Sequence, residues 1–110
     1  MPKLALPNLS LCVRLLLVMS WQVEYTSKAR KQLRKLPVLI ADAILALAMD
    51  IEESGPIRGD WPNFSKLSRT EYHCHLKKGK PTYVACWRLL DMRNKRIEVY
   101  YVGTHEKAPY

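Results

Sequence analysis

The sequence predicts a single small α+β domain with the element order β-α-α-β-β-β. Its 110 residues leave room for one hydrophobic core. Apolar side chains recur with a helical period in two consecutive segments, and they alternate with polar ones in the segments before and after these. We therefore expect one antiparallel sheet with a helical hairpin on one face, and a second face that is only partly covered.

The first strand and the first helix are predicted from the segment that starts at Trp21. Residues 21–26 alternate between apolar and polar side chains, which indicates a half-buried strand. Thr26 or Ser27 then offers a hydroxyl oxygen that can cap a helix. One face of that helix is apolar and contains Ala29, Leu33 and Leu36.

A second helix is predicted to follow directly. Pro37 suits a first helical turn, because its φ is already helical and an N–H there would lack a helical partner. The apolar stripe of this helix contains Ile40, Ala43, Ile44, Leu47, Ala48 and Ile51. Gly55 and Pro56 end it in the usual order. Residues 55–65 are rich in turn formers and predict a loop.

Three further strands are predicted at about residues 71–77, 82–90 and 96–103. The connections at 78–81 and 92–95 are short enough for hairpins. These three strands would therefore lie side by side and antiparallel in the sheet.

The charge of the chain indicates a polyanionic partner. Its net charge is +8 and its pI is about 9.6, and nucleic acid is the commonest partner of so basic a domain. Residues 28–35 carry five bases and no acid, whereas residues 37–55 carry four acids and no base. Residues 61–110 carry ten bases and four acids, so the second half is the candidate anion-binding surface.

The N-terminal segment precedes the first patterned element. Its apolar run, residues 11–19, is interrupted by Arg14 and is not followed by a small-residue cleavage site, so no signal peptide is predicted. The run is also too short to span a bilayer. We expect Met19 to be the natural start, residues 1–18 to be a poorly ordered upstream extension, and residues 19–110 to form the domain.

Cysteine and histidine spacing indicates neither a disulfide framework nor a metal site. Cys12, Cys74 and Cys86 form no CxxC pair, and their odd number fits a reducing cytosol. His73, Cys74 and His75 point to both faces of a strand and lack further ligands at zinc spacing. We therefore expect a cytoplasmic protein with no membrane association, no metal and no cofactor.

The strand at residues 71–77 carries the candidate chemistry. Alternation turns one set of side chains toward the helices, namely Tyr72, Cys74 and Leu76. The other face then carries His73, His75 and Lys77. Two imidazoles and an ammonium group in a row can bind a phosphodiester and move a proton near neutral pH. The alternative is that these are ordinary solvated strand residues.

The third histidine lies in the C-terminal segment. Gly103, near the end of the last strand, frees the chain to turn back over the sheet. His105 would then approach His75, and Tyr110 would offer an aromatic surface to a nucleobase. The alternative is a frayed C terminus.

Four segments together resemble the RelE/ParE superfamily of type II toxin–antitoxin toxins, especially its RelE-like mRNA-cleaving branch. They are residues 23–37 (VEYTSKARKQLRKLP), Lys66-Leu67, residues 72–77 (YHCHLK) and residues 102–110 (VGTHEKAPY). The resemblance spans residues 19–110. It implies the β-α-α-β-β-β fold and ribosome-dependent mRNA cleavage that inhibits translation. It also implies a cognate antitoxin, which is usually encoded beside the toxin. The toxin would then contact promoter DNA only as part of the complex with this antitoxin.

The resemblance also implies catalytic roles for His73, His75, His105 and Tyr110. His73 and His75 fall where RelE has two active-site lysines, and the lysine that matches His75 is the general base. His105 falls where RelE has an arginine that acts as an acid. Tyr110 falls near the C-terminal tyrosine that stacks on a base. We expect His73 to serve as a phosphate-binding cation.

One arginine of the family pattern is absent. RelE has it early in the strand that here begins Pro81-Thr82-Tyr83. Arg88 or Lys80 is therefore expected to neutralise the phosphate instead. The complete set expected to bind RNA phosphates is Lys66, Arg69, Lys77, Lys80 and Arg88.

Two classes of toxin fit this resemblance. The interpretation that we favour is a metal-independent endoribonuclease, in which His75 is the general base and His105 the general acid. A ParE-like toxin that blocks DNA gyrase would share the fold, the basic surface and the antitoxin, but it would have no need of the histidines. A third interpretation is a degenerate toxin that is retained as a binding module.

Overall fold

A computed structural model describes residues 20–110. The expectation that residues 1–18 are an upstream extension, and that Met19 is the start, lies outside the described residues. The elements are β1 (Gln22–Tyr25), α1 (Ser27–Arg34), α2 (Val38–Ser54), β2 (Ser65–Lys66), β3 (Glu71–His75), β4 (Tyr83–Asp91), β5 (Arg96–Thr104) and a 3₁₀ turn (His105–Lys107). The predicted fold class, a small α+β domain with two consecutive helices, is confirmed.

The five strands form one sheet in the order β1-β5-β4-β3-β2. The β3–β4 and β4–β5 pairs are antiparallel, as predicted. The sheet is nevertheless mixed, because β1 lies parallel to β5. Two helices follow β1, so no hairpin dictates its direction, and it pairs with the last strand at the sheet edge. The short β2, which the sequence did not predict, pairs antiparallel with β3.

Helix α1 begins as predicted at Thr26, whose side-chain oxygen accepts a hydrogen bond from the backbone N–H of Ala29 at 3.0 Å. Ala29 is fully buried, and Leu33 packs against the core from the same helix face. Leu36, which the sequence placed in this helix, lies beyond its end at Arg34 but also packs against the core. The Gln32 side chain accepts a hydrogen bond from the Val102 N–H at 3.1 Å. This bond ties α1 to β5.

Helix α2 follows Pro37, which lies at its N-cap rather than inside its first turn. Its buried face contains Ile40, Ile44, Leu47, Ala48 and Ile51, as predicted, and Ala43 is partly buried beside them. Gly55 ends the helix with φ +90°, a conformation that favours glycine. No helix within residues 20–110 is long and apolar enough to cross a membrane.

Trp87 of β4 lies fully buried at the centre of the core. Its indole N–H donates to the carbonyl oxygen of Pro56 at 3.1 Å, which connects the sheet to the loop after α2. The Trp87 ring lies about parallel to the rings of Tyr72 and Phe64, with centroids 6.1 and 6.0 Å away. The helices and this aromatic group therefore close one face of the sheet, and they leave the opposite face for the histidines.

Candidate active site

The β3–β4 register fixes which side chains share the face opposite the helices. His73 lies opposite Cys86, and His75 lies opposite Val84. Tyr72, Cys74 and Leu76 belong to the core on the helical side, so the alternation predicted for this strand is present. Lys77 does not continue the row, because β3 ends at His75. The Lys77 ammonium lies instead 3.5 Å from the carbonyl oxygen of Lys80 in the following turn.

The C-terminal segment brings the third imidazole to the other two. After β5, the backbone N–H of His105 donates to the Thr82 carbonyl oxygen at 2.9 Å. The ring centroids of His105 and His75 are 5.6 Å apart, and those of His73 and His75 are 6.1 Å apart. Tyr110 lies 4.6 Å from His73 and 6.0 Å from His105, centroid to centroid. We call these four side chains the histidine cluster.

Gly103 has a different role from the one that the sequence predicted. It lies within β5, opposite Val84, and the chain turns only after Thr104. A Cβ at Gly103 would lie 2.8 Å from the hydroxyl oxygen of Tyr101. That hydroxyl donates to the Thr104 carbonyl at 2.7 Å. The glycine therefore makes room for a tyrosine that anchors the turn into His105.

His73 is the most enclosed member of the histidine cluster, with a relative exposure of 9%. The Oγ of Ser65 in β2 lies 3.0 Å from its Nδ1, and Tyr110 covers it on another side. Burial lowers the pKa of His73 below the usual 6.5, against an opposing hydrogen bond to the Ser65 backbone. Enclosure and a lowered pKa both reduce the positive charge of this imidazole at neutral pH, so they do not favour its predicted role as a phosphate-binding cation, and that role stays a prediction.

Ser65 is a site residue that the sequence analysis missed. Its position opposite His73 depends on the two residue pairs of β2 with β3. The sequence predicts a loop over residues 55–65, because a strand of only two residues gives no periodic signal. A prediction of a tight hairpin over residues 65–73 would have placed Ser65 beside His73.

His75 lies beside His105 in a more accessible position. Burial lowers the pKa of His75, and the nearby His105 lowers it further. Because two positive charges repel each other at this separation, a proton on one ring disfavours a proton on the other. The pair therefore places side by side two groups of the type that general acid–base catalysis requires.

Lys80 is a predicted cation that shares a groove with His105. Together with His105 and Thr104 it lines an open groove of about 460 Å³. Glu106 lines the same groove. Lys80, from the turn that also contains Lys77, thus brings a cationic residue to the His105 side of the histidine cluster.

The other predicted cations lie elsewhere. Arg88 pairs with Glu71 in the register, stacks 4.0 Å over the ring of Tyr100, and places Nε 3.4 Å from Glu98. Its charge is therefore partly offset by a carboxylate. Arg69 lies in the turn before β3, at the Glu71 end of the sheet.

Lys66 is turned away from the histidines. It pairs with Tyr72, and its ammonium lies 5.9 Å from the centre of that ring, which belongs to the helical face. Of the two replacements predicted for the missing arginine, the geometry thus favours Lys80 over Arg88.

The described cysteines offer no further chemistry. Burial raises the pKa of Cys74 and of Cys86 to about 12, so both are protonated thiols at neutral pH. Across residues 20–110, no group of three or more His, Cys, Asp and Glu side chains is arranged to hold a metal ion.

Fold and site together define a small α+β protein with three imidazoles and a tyrosine on one sheet face. No family model and no curated protein sequence matches the chain. Among solved structures it is similar to a chain of the archaeal RelE–RelB complex from Pyrococcus horikoshii, with a TM-score of 0.62 and 16% identity over 82% of this chain and 100% of that chain. It is also similar to a chain of the toxin–antitoxin complex RelBE2 from Mycobacterium tuberculosis, with a TM-score of 0.47 and 22% identity over 79% of this chain and 100% of that one. The first similarity shows that the chain has the RelE-like fold.

Proposed function

We propose that this chain is the toxin of a type II toxin–antitoxin system, and that it cleaves mRNA on the ribosome and thereby inhibits translation in the cytoplasm. The observation that carries the proposal is the His75–His105 pair, with ring centroids 5.6 Å apart on a RelE-like fold. The net charge of +8 fits a polyanionic substrate. The similar Pyrococcus chain belongs to a RelE–RelB complex, which supports a cognate antitoxin here.

His75 serves as the general base in this proposal. Its lowered pKa keeps it unprotonated at neutral pH, so it can take the proton from the ribose 2′-hydroxyl. The 2′-oxygen then attacks the adjacent phosphorus. His105 donates a proton to the departing 5′-oxygen. The products are a 2′,3′-cyclic phosphate and a 5′-hydroxyl.

Lys80 and Tyr110 hold the substrate around this pair. Lys80 lines the groove beside His105, so its ammonium group can offset the charge that develops on the phosphate oxygens. Tyr110 is about half exposed, so one face of its ring can stack on a nucleobase while it contacts His73.

The test is single-turnover cleavage of mRNA on programmed ribosomes. General acid–base catalysis contributes about 10²–10⁴-fold, so His75→Ala and His105→Ala should each slow cleavage on that scale. Arg93→Ala is the control, since Arg93 is exposed in the β4–β5 turn at the far end of the sheet and should change the rate little. The product ends should be the cyclic phosphate and the 5′-hydroxyl.

Two results would overturn the assignment. One is a His75→Ala variant that cleaves at the wild-type rate. The other is a wild-type protein that inhibits DNA gyrase and cuts no RNA, in which case the ParE-like hypothesis takes its place.

A further inference from the structure

His73 is fixed by a residue outside the four-membered histidine cluster. Ser65 stands opposite it in the β2–β3 register and places Oγ 3.0 Å from Nδ1. The ring is 9% exposed and packs against Tyr110 at 4.6 Å between centroids. Ser65 therefore contacts the Nδ1 edge of the imidazole, and the His73 ring packs against Tyr110, the residue proposed to stack on a nucleobase.

The contact of Ser65 restrains the orientation of this imidazole. The Ser65 hydroxyl lies within hydrogen-bond distance of Nδ1 and can donate to, or accept from, that nitrogen. Either bond needs the Nδ1 edge of the ring to face Ser65, and it favours the neutral form that makes the bond over the other neutral form. Loss of the hydroxyl should therefore change the ratio of the two neutral forms and free the ring to turn.

We propose that Ser65 is a positioning residue, which holds the His73 ring in one orientation through a hydrogen bond at Nδ1, so that His73 in turn fixes Tyr110 where a nucleobase stacks. The part of this inference that concerns the nucleobase rests on the proposed function. The part that concerns the ring does not, since it follows from the Ser65–His73 and His73–Tyr110 contacts alone.

The role predicts a particular division of kinetic effects. Ser65 contacts neither His75 nor His105 through any described hydrogen bond, so its loss should leave the proton transfers largely intact. A loosened Tyr110 weakens the stacking that binds substrate. Because a hydrogen bond contributes about 0.5–1.5 kcal/mol, Ser65→Ala should raise KM about two- to tenfold and change kcat little.

The experiment combines nuclear magnetic resonance with kinetics on three variants of the full chain. Long-range ¹⁵N–¹H correlation spectra report which nitrogen of His73 carries the proton, and ring-to-ring nuclear Overhauser effects report its contact with Tyr110. Ser65→Ala removes the hydroxyl, and Ser65→Thr retains it. Ser68→Ala is the matched control, because Ser68 lies in the same hairpin and bonds Glu71 rather than His73.

We expect Ser65→Ala to change the ratio of the two neutral forms of His73, to weaken its contact with Tyr110 and to raise KM. Ser65→Thr should keep the wild-type values of all three, and Ser68→Ala should change none. The inference is overturned if Ser65→Ala leaves this ratio and the Tyr110 contact unchanged, or if both change and KM does not. If the wild type cleaves no RNA, the proposed function fails, whereas the spectra still decide whether Ser65 positions His73 and Tyr110. If Ser65→Ala fails to fold, Ser65→Thr decides, because a wild-type ratio and Tyr110 contact support the inference and their loss overturns it.

Discussion

His73 and His75 differ in how far each side chain is buried and in which neighbouring charges lower its pKa. His73 is almost fully enclosed, and burial is the largest cause of its lowered pKa. His75 is more accessible, and its pKa is lowered by burial first and by His105 second. The same residue type thus supplies the proposed support for Tyr110 at His73 and the proposed base at His75, beside the proposed acid at His105.

Removing the charge of His105 should raise the pKa of His75. In His105→Asn the repulsion between the two rings disappears, so His75 binds its proton more readily. Titration of the imidazole resonances by nuclear magnetic resonance measures this directly. The pKa of His73 should rise as well, because His105 is also among the causes that lower it, and the smallest of them.

The direction in which the pKa of His75 changes in His105→Asn separates a coupled pair from two independent histidines. An unchanged or lowered pKa of His75 in this variant would contradict the coupling. Arg93→Ala, in the turn at the other end of β4 and β5, is the control for general charge effects.

The activity of the wild type should depend on the protonation of His75. A general base must be neutral, so activity should fall as the pH falls through the lowered pKa of His75, which lies below the usual 6.5.

At the scale of elements, the end of β5 determines where the proposed acid lies. The Tyr101 hydroxyl donates to the Thr104 carbonyl at 2.7 Å. The next residue, His105, donates its N–H to Thr82 at the start of the neighbouring strand. Two hydrogen bonds therefore hold the turn against the sheet, and Gly103 leaves the space that the Tyr101 ring needs.

Gly103→Ala should destabilise the protein and reduce its activity. The added methyl group would lie 2.8 Å from the Tyr101 hydroxyl oxygen, and the Tyr101 side chain is itself buried. Overpacking of this kind costs about 1–3 kcal/mol, measured as a lowered midpoint of urea unfolding. Gly59→Ala is the matched control, since a Cβ at Gly59 meets nothing within 4 Å. Equal midpoints for the two variants would show that Gly103 is not tightly packed.

The elements with a strong periodic signal were predictable, and those fixed by tertiary pairing were not. The buried faces of both helices and of β3 follow directly from apolar spacing. The parallel direction of β1 depends on which strand it meets at the sheet edge. The enclosure of His73 depends on Ser65 and Tyr110, which come from two distant segments. Alternation alone therefore predicts that His73 and His75 share a face, but not that one of them is covered.

Across the whole molecule, basic side chains from distant parts of the chain line the same grooves. Lys28 and Lys35 of the α1 segment share an open groove of about 550 Å³ with Lys107 of the C-terminal turn. Lys28 and Lys107 also line a second groove, of about 300 Å³, together with Arg88. By contrast, residues 37–55, which include α2, carry four acids and no base. Folding therefore gathers the basic side chains of both halves around the end of β5.

This distribution predicts how the proposed antitoxin binds. An antitoxin segment with acidic side chains and apolar anchors should lie along these two grooves, and rising salt should weaken its binding because exposed charges are screened. Lys107→Ala should weaken the affinity by up to about fivefold, since an exposed ion pair contributes about 0.2–1 kcal/mol. It should act mainly on the association rate, and it should also reduce the dependence on salt. Arg93→Ala removes an equal charge at a position outside both grooves. It should leave the affinity, the association rate and the dependence on salt unchanged. Calorimetry and stopped-flow association over a range of salt concentrations measure these effects, and an affinity independent of salt would exclude an electrostatic groove.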